Sequence, residues 1–484
     1  MTRIAGVETE FGLRFVPSAV GGAVGVEEVA ERLFRHRPRG YRSNNVFLPN
    51  GGRLYLDIGA HPEYATAECV TVRELVAQEV AGRALLADMA VATEADLAAG
   101  GQPGSVHVLA NNTDSAGNTY GCHESYSVPR DFDVEAALPV LATFLATRPV
   151  LVGAGIALPG SGDDEEAAWG LSPRAPHLHH LASKDTTGAR ALVNTRDEPH
   201  ADARRWRRLH VTSADTTMAE STMALRGAVL WLLLDALEAG EDFSDLVLRD
   251  PLATLARLGT SPWGNEAAAT VAGRERTAVD LQEEFLTRLT ARLARTGPPP
   301  ALAGVEMVLT DLAPRVVSAL RTRDISGIDT EIDWAIKRRL LAAHRARHPQ
   351  LVGEELRVLR ARIELAFHDL RPTTALAPRL AASGALATLL SAEERAAART
   401  TPPATRAALR GRFVAACRAR GADFAVSWDS LRLDSPPTSP IELPDPFAAT
   451  HPGVDALVAK VAALRDEETT WVDAVGKDGR GAPG

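Results

Sequence analysis

Three short stretches set residues that bind hard cations and phosphates on one side of what reads as a β-strand. In GVETEFG at 6–12, alternation puts Glu8 and Glu10 on one face and Val7, Thr9 and Phe11 on the other. In RLYLDIG at 53–59, Arg53, Tyr55 and Asp57 share a face opposite Leu54, Leu56 and Ile58. In RLHVTS at 208–213, His210 and Thr212 oppose Leu209 and Val211. Carboxylates suit Mg2+ and Mn2+, and guanidinium groups suit phosphate oxygens. On pattern alone two readings stand level. The strands are either the solvated faces of an antiparallel sheet or the lining of a nucleotide–metal site.

The neighbouring loops carry the same chemistry. HPEYATAEC at 61–69 supplies Glu63 and Glu68 directly after the Asp57 strand. NNTDSAGNTYGCHESY at 111–126 gathers Asn, Asp, Gly and His123 between short apolar pieces. NTRDEPHADARRWRRLH at 194–210 holds Arg196, Asp197, Glu198, His200 and Asp202, then Arg204, Arg205, Arg207 and Arg208. A capped turn, a turn-rich connection and an ion-paired surface are the bland readings of the three. The chain has no Walker-type loop or dinucleotide fingerprint. A nucleotide would therefore lie on a sheet surface and be held through divalent metals.

The elements that must position these residues follow from periodicity. The first ~215 residues read as strand-rich, and the pattern from Met218 to Leu370 is mostly helical, as at 278–296 and 303–322. A third region opens near Pro402. It contains the strand-like FAVSWDSLRL from Phe424, between proline clusters at 402–403 and 436–440. The tail after Glu468 reads as frayed or disordered, and GSGDDEEAA at 160–168 as a mobile loop.

Composition narrows the function class. The 484 residues carry 53 basic and 62 acidic side chains, a net charge of −9, which argues against a general nucleic-acid partner. Three scattered cysteines, Cys69, Cys122 and Cys417, form no CxxC pair. A disulfide framework or structural zinc is not expected, and a reducing cytoplasm is the simplest setting. No uninterrupted apolar run approaches the ~18 residues that span a bilayer. Two glutamates stand where a signal peptide needs an apolar core, so no membrane partner or export is expected.

At these motifs the chain resembles the Pup ligase and depupylase family, whose catalytic domain is similar to glutamine synthetase and other carboxylate–amine ligases. The resemblance rests on GVETEFG at 6–12, NNVFLPNGGRLYLDIGAHPEYATAEC at 44–69, the stretches at 111–126 and 194–211, DTEIDWAIKRRLL at 329–341, PPATRAALRGRF at 402–413 and FAVSWDSL at 424–431. It implies an α+β fold: a glutamine synthetase-like curved antiparallel sheet packed with helices over 1–400. A small C-terminal domain over 401–470 and a disordered tail over 471–484 would follow. Within the family, the YLDIGAHPEY link, the short span between Phe15 and Asn50 and the DTEIDWAIKRRLL helix resemble the ligase rather than the depupylase.

The resemblance implies an ATP-dependent ligase acting in pupylation, which marks proteins for proteasomal degradation. It would activate the side-chain carboxylate of the C-terminal glutamate of Pup, a small disordered acidic protein, as an acyl phosphate. A lysine of a target protein would then attack. Glu8, Tyr55 and Glu63 match the family's Mg2+ ligands. Arg53 and Thr66 match nucleotide contacts, and Trp428 matches a residue packing near the nucleotide. Asp57 matches the general base, with a further metal ligand as the rival role. Glu10, His123, Arg208 and His210 are expected at the metals or phosphates. Because Pup is acidic and this chain is net negative, a local basic track is needed, with Arg204, Arg205, Arg207, Lys337, Arg338 and Arg339 as candidates. The chain departs from the family at Ala110 and Arg226, each where lysine is usual, and in LRPTTALAP at 370–378, changes expected to bear on Pup docking. The alternatives are a depupylase or Pup deamidase of the same fold, a paralogue acting on another carboxylate and amine, or a non-catalytic scaffold.

Overall fold

The computed structural model describes residues 2–18, 22–38, 44–57, 59–114, 117–158, 169–185, 190–372 and 374–464. The tail beyond Glu468 and the 160–168 loop lie outside them. In chain order the first strands are β1 (Ala5–Glu10), β2 (Gly12–Pro17), β3 (Asn45–Phe47), β4 (Arg53–Asp57), β5 (His61–Ala65), β6 (Gly104–Leu109) and β7 (Cys122–Pro129). Then come β8 (Ile156–Ala157), β9 (Trp169–Gly170), β10 (His180–Ser183), β11 (Ala191–Asn194) and β12 (Trp206–Ala214). The last are β13 (Ala267–Ala269), β14 (Glu275–Thr277), β15 (Asp423–Val426), β16 (Ser430–Ser435) and β17 (Ile441–Glu442).

Eight of them make one sheet in the order β10-β11-β12-β7-β1-β5-β4-β3. Every pairing in it is antiparallel except β10 with β11 at the edge. Its two faces follow the alternation read from the sequence. In β1, Ala5, Val7 and Thr9 are buried while Gly6, Glu8 and Glu10 are half-buried. The buried side of β1, β7 and β12 packs through Val7, Cys122, Tyr126, Leu209 and Val211 into the main apolar core. That core is shared with the helices Val72–Ala99, Val134–Thr147 and Glu220–Glu238.

The reading of residues 1–215 as strand-rich underweighted the helix Val26–Arg35 and two longer ones, Val72–Ala99 and Val134–Thr147. The two longer ones bury side chains around most of their circumference, so neither shows the single apolar stripe that marks a surface helix. The first starts on a capping box, in which Thr71 Oγ1 accepts from Glu74 N at 3.1 Å and Glu74 Oε2 accepts from Thr71 N at 3.1 Å. The expected helix at 278–296 is present as Ala278–Thr296, whereas 303–322 splits into a π turn at Val308–Leu312 and the helix Ala313–Thr322. The stretch 134–152 has the length and mean apolarity of a bilayer span, but 72% of it is buried inside the fold.

Near the C-terminus, the helices Arg406–Arg420 and Pro452–Ala462 and the sheet β15–β16–β17 share a separate apolar cluster of Leu409, Phe413, Leu431, Leu433, Val454 and Leu457. Two departures from the family pattern lie in the interior. Arg226 is buried beneath the sheet and donates to Glu79 Oε1 at 2.6 Å. Ala110 is also buried, with its carbonyl 2.7 Å from His368 Nδ1. Neither side chain is available to a docking partner.

The basic triplet expected on a docking track is likewise engaged internally. Lys337 is buried, and its Nζ donates to Gly155 O at 2.5 Å and Glu364 Oε1 at 2.6 Å. Arg338 lies 4.0 Å from the Trp263 ring centroid and 5.1 Å from that of Trp169. Arg339 donates to Ala385 O at 2.6 Å. Burial alone would raise the Glu364 carboxyl, but the Lys337 charge and His368 outweigh it and hold the group at about 2, against an ordinary 4.5. A depressed folded-state value stabilises the fold above the ordinary value, and the contribution is lost as pH falls towards the depressed one. We expect Glu364→Gln to cost about 3 kcal/mol or more at neutral pH by urea unfolding, because it strands a buried ammonium. The gap to the parent chain should narrow between about pH 5 and 3; a gap constant across that window would refute the linkage.

Candidate active site

Strand register assembles the site. Directly opposed residues of antiparallel strands share a face. Glu8 opposes Ala65 on β5 and His123 on β7, and Glu10 opposes Glu63. Glu63 in turn opposes Tyr55, Arg53 opposes Ala65, and His210 of β12 opposes Ser125 of β7. Two clusters result on one face. Glu8, His123 and His210 bring one ligand atom each within 4.8 Å of one another, as do Glu10, Asp57 and Glu63. Tyr55 joins the clusters, since its hydroxyl donates to Glu8 Oε1 and it is also hydrogen-bonded to Glu63. His123 Nδ1 stands 3.6 Å from Glu8 Oε2, and the two imidazole centroids are 5.3 Å apart.

The electrostatics are those of a cation site. Burial and the charges of Glu8 and Glu10 push the Glu63 carboxyl up. Burial acts the same way on Glu8, but hydrogen bonds from His123 and Tyr55 override it and hold that carboxyl well below the usual range. Burial, followed by Glu8 and Glu63, raises the Tyr55 hydroxyl, so it stays a donor between the two. Burial and the neighbouring His123 and Arg208 push His210 down to about 3, which keeps its ring neutral. The hard carboxylates suit Mg2+ or Mn2+, and a neutral imidazole leaves a ring nitrogen free to ligate beside them.

Beside the clusters, on the same face, lies a cavity of ≈ 380 Å³. Its floor is Gly6, Ser125 and Ser127, and its walls include Arg53, Thr66, His200, Trp206, Arg208, Arg406 and Trp428. A Cβ at Gly6 would make only ordinary contacts, the nearest 3.4 Å from Thr66 Oγ1, so the protein's own packing does not require glycine there. Trp206 Nε1, Arg208 Nε and His210 Nε2 are buried and have no hydrogen-bond partner among the described residues. They alternate along one face of β12, so three unspent polar atoms line up from the cavity to the metal cluster. Arg53 is fixed by Asn45 Oδ1 at 2.6 Å and lies 4.5 Å from the Tyr55 ring centroid. Thr66 Oγ1 accepts from Val7 N at 3.0 Å. Trp428 meets Phe47 edge-on at 5.0 Å between centroids.

The structure thus brings together Glu8, Glu10, Tyr55, Asp57, Glu63, His123 and His210 as one group, with Arg53, Thr66, Arg208 and Trp428 on the adjoining cavity. Asp57 is exposed at the end of β4, grouped with Glu10 and Glu63. Glu68 does not join the acids. It pairs with Arg406 and Arg410. Of the other basic candidates, Arg207 lines the cavity, Arg204 is exposed beside Asp202, and Arg205 lies 3.6 Å from Asp445. Sequence reasoning missed Trp206, which the spacing 206, 208, 210 could have found. It also missed Arg406, whose partner Glu68 lies 338 residues away.

Comparison with known proteins agrees with this geometry. The family model described as Pup-ligase protein matches residues 3–432. A Pup–protein ligase of Kocuria rhizophila is 40% identical over 471 residues, spanning 95% of this chain and 99% of the relative. One from Micrococcus luteus is 42% identical over 464 residues, spanning 95% and 98%. The crystal structure of the complex between Pup and its ligase PafA superposes with a TM-score of 0.87 at 35% identity, covering 95% of this chain and 91% of that one. The structure of PafA in complex with ADP gives a TM-score of 0.80 at 35% identity, covering 93% and 97%. An eight-stranded sheet carrying a carboxylate cluster beside a glutamate–histidine cluster, in a chain matched along nearly its whole length, identifies a member of the Pup-ligase family.

Proposed function

We propose that this chain is the ATP-dependent ligase that joins the side-chain carboxylate of Pup's C-terminal glutamate to lysine amines of target proteins. One observation carries the reading: the metal-ligating group and the polar-lined cavity lie side by side on one sheet face. The relatives' ligase activity and the ADP-bound PafA support it. ATP, when bound with Mg2+, supplies the phosphoryl group that converts an unreactive carboxylate into an acyl phosphate open to attack by an amine.

The remaining work falls to the chain's own side chains. Glu8, Tyr55 and Glu63, with Glu10, His123 and His210 behind them, would hold the cations. Arg53 and Arg208 present guanidinium groups at the cavity wall nearest that cluster, where phosphate charge would be met. Thr66 and Trp428 close the cavity. Asp57, on the Arg53–Tyr55 face and exposed, would take the proton that a lysine, with a reference pKa of ~10.4, must lose before attack. Arg204, Arg205 and Arg207 remain the candidates for the acidic partner. The separate C-terminal apolar cluster supports a division of the chain near residue 401, and three free, buried cysteines together with ATP use support a cytoplasmic setting.

Two measurements check the assignment. Asp57→Asn should lower the rate of Pup–lysine adduct formation by ~10²–10⁴-fold while ADP binding by calorimetry stays near parental. Loss of ADP binding as well would instead make Asp57 a metal ligand. Conversion of Pup ending in Gln, without adduct formation by the parent chain, would point to a deamidase. Separately, Glu63→Gln should weaken Mn2+ binding, followed by electron paramagnetic resonance, by about 10- to 100-fold, the loss that even an outer-sphere partner causes. Unchanged Mn2+ affinity would remove Glu63 from the metal set.

A further inference from the structure

Four walls of the cavity come from distant parts of the chain, and one carboxylate ties them together. Glu68 follows β5 two residues after Thr66 and is buried. Its Oε1 accepts from Arg406 Nε at 2.9 Å and Arg410 Nη1 at 3.0 Å, and its Oε2 accepts from Arg410 Nη2 at 2.5 Å. Each arginine then holds a cavity wall. Arg410 Nη1 donates to Trp428 O at 2.9 Å, Nη2 donates to Gly51 O at 2.8 Å, and the guanidinium lies 4.9 Å from the Trp428 ring centroid. Arg406 Nη1 donates to His200 O at 2.8 Å and Leu443 O at 2.9 Å. His200 has φ 48°, a left-handed backbone that a histidine keeps only when its surroundings hold it. Thr405 Oγ1 closes the knot on Glu68 O at 2.9 Å.

We infer that Glu68 is a positioning residue for the nucleotide: through Arg406 and Arg410 it clamps Trp428 and the His200 loop against the strand end that carries Thr66. The inference rests on the reading of the cavity as a nucleotide site. Without the Glu68 charge, two buried guanidinium groups lose their shared counter-ion and must find other partners. The Trp428 and His200 carbonyls then lose fixed donors, and two walls slacken together. The metal cluster does not depend on this knot, so the defect is one of nucleotide binding and not of chemistry.

The test compares Glu68→Gln, Glu68→Asp and Arg410→Lys with Glu364→Gln, a buried ion-pair variant outside the cavity, on the full chain. ADP affinity is measured by calorimetry, KM for ATP and kcat by Pup conjugation, and Tm alongside. Glu68→Gln and Arg410→Lys should each raise KM for ATP by about tenfold or more with kcat within about twofold of the parent, the signature of lost uniform binding. Glu68→Asp, which keeps the charge, should recover most of the ADP affinity, and Glu364→Gln should lower Tm with KM for ATP unchanged. If the Glu68 variants lower Tm yet keep the parental KM and ADP affinity, the role is structural only and the inference falls. If Glu68→Gln does not fold, an unchanged KM in Arg410→Lys overturns it equally. A parent chain that binds no ADP would overturn the nucleotide reading itself, and this inference with it.

Discussion

The site is organised around a cross-strand pair that sheet pairing disfavours. Glu10 stands directly opposite Glu63, with Glu8 on the same face two residues away and Tyr55 on the far side of Glu63. Like charges in directly opposed positions destabilise a sheet, and burial of Glu63 beside Glu8 and Glu10 turns that conflict into a raised carboxyl that resists ionisation. Tyr55 relieves only part of it by hydrogen-bonding to Glu8 and Glu63. Divalent cations held there would remove the conflict at its source, each supplying the positive charge that the strand register withholds. The same register that crowds these carboxylates also makes them a donor set suited to hard cations.

Such a conflict persists only where the rest of the fold is stable enough to hold it. The opposite face of the same strands provides that stability, with Val7, Tyr126, Leu209 and Val211 packed on helices that are themselves buried nearly all round. There Arg226 and Arg148 are buried as ion pairs. Arg226 meets Glu79, and Arg148 meets Glu124 at 2.6 Å, which also accepts from Tyr126 at 3.0 Å. On the core side arginines and glutamates pair with one another, whereas the site face gathers several carboxylates around a hydroxyl and two imidazoles. That asymmetry separates the scaffold from the site.

Alternation along single strands made half of the site legible from sequence. Glu8 with Glu10, Arg53 with Tyr55 and Asp57, and His210 on β12 all lie on the faces that a period of two assigns them. Their convergence was not legible by that route, because Glu8 meets His123 only through a register between segments more than a hundred residues apart. The family resemblance bridged that gap by naming Glu8, Tyr55 and Glu63 together, and the register does bring them onto one face. It served less well for the Lys337–Arg339 run. In sequence those residues look like a solvated basic face, whereas Lys337 is a buried staple between two helices, a rare fate for lysine. The helices at 72–99 and 134–147 escaped for the converse reason, since a helix buried on all sides has no stripe to read.

The cavity adds a constraint that neither the sheet nor the helices impose alone. Its floor belongs to β1 and β7, but its walls come from β4, the segment after β5, the loop around His200, and the C-terminal stretch with Arg406 and Trp428. A ligand filling it touches elements from both the main core and the separate C-terminal cluster. Any molecule that binds this folded arrangement and not the unfolded chain stabilises every wall at once, by an amount set by its concentration relative to its dissociation constant. Nucleotide binding and the docking of the C-terminal cluster onto the sheet are on this argument a single linked equilibrium.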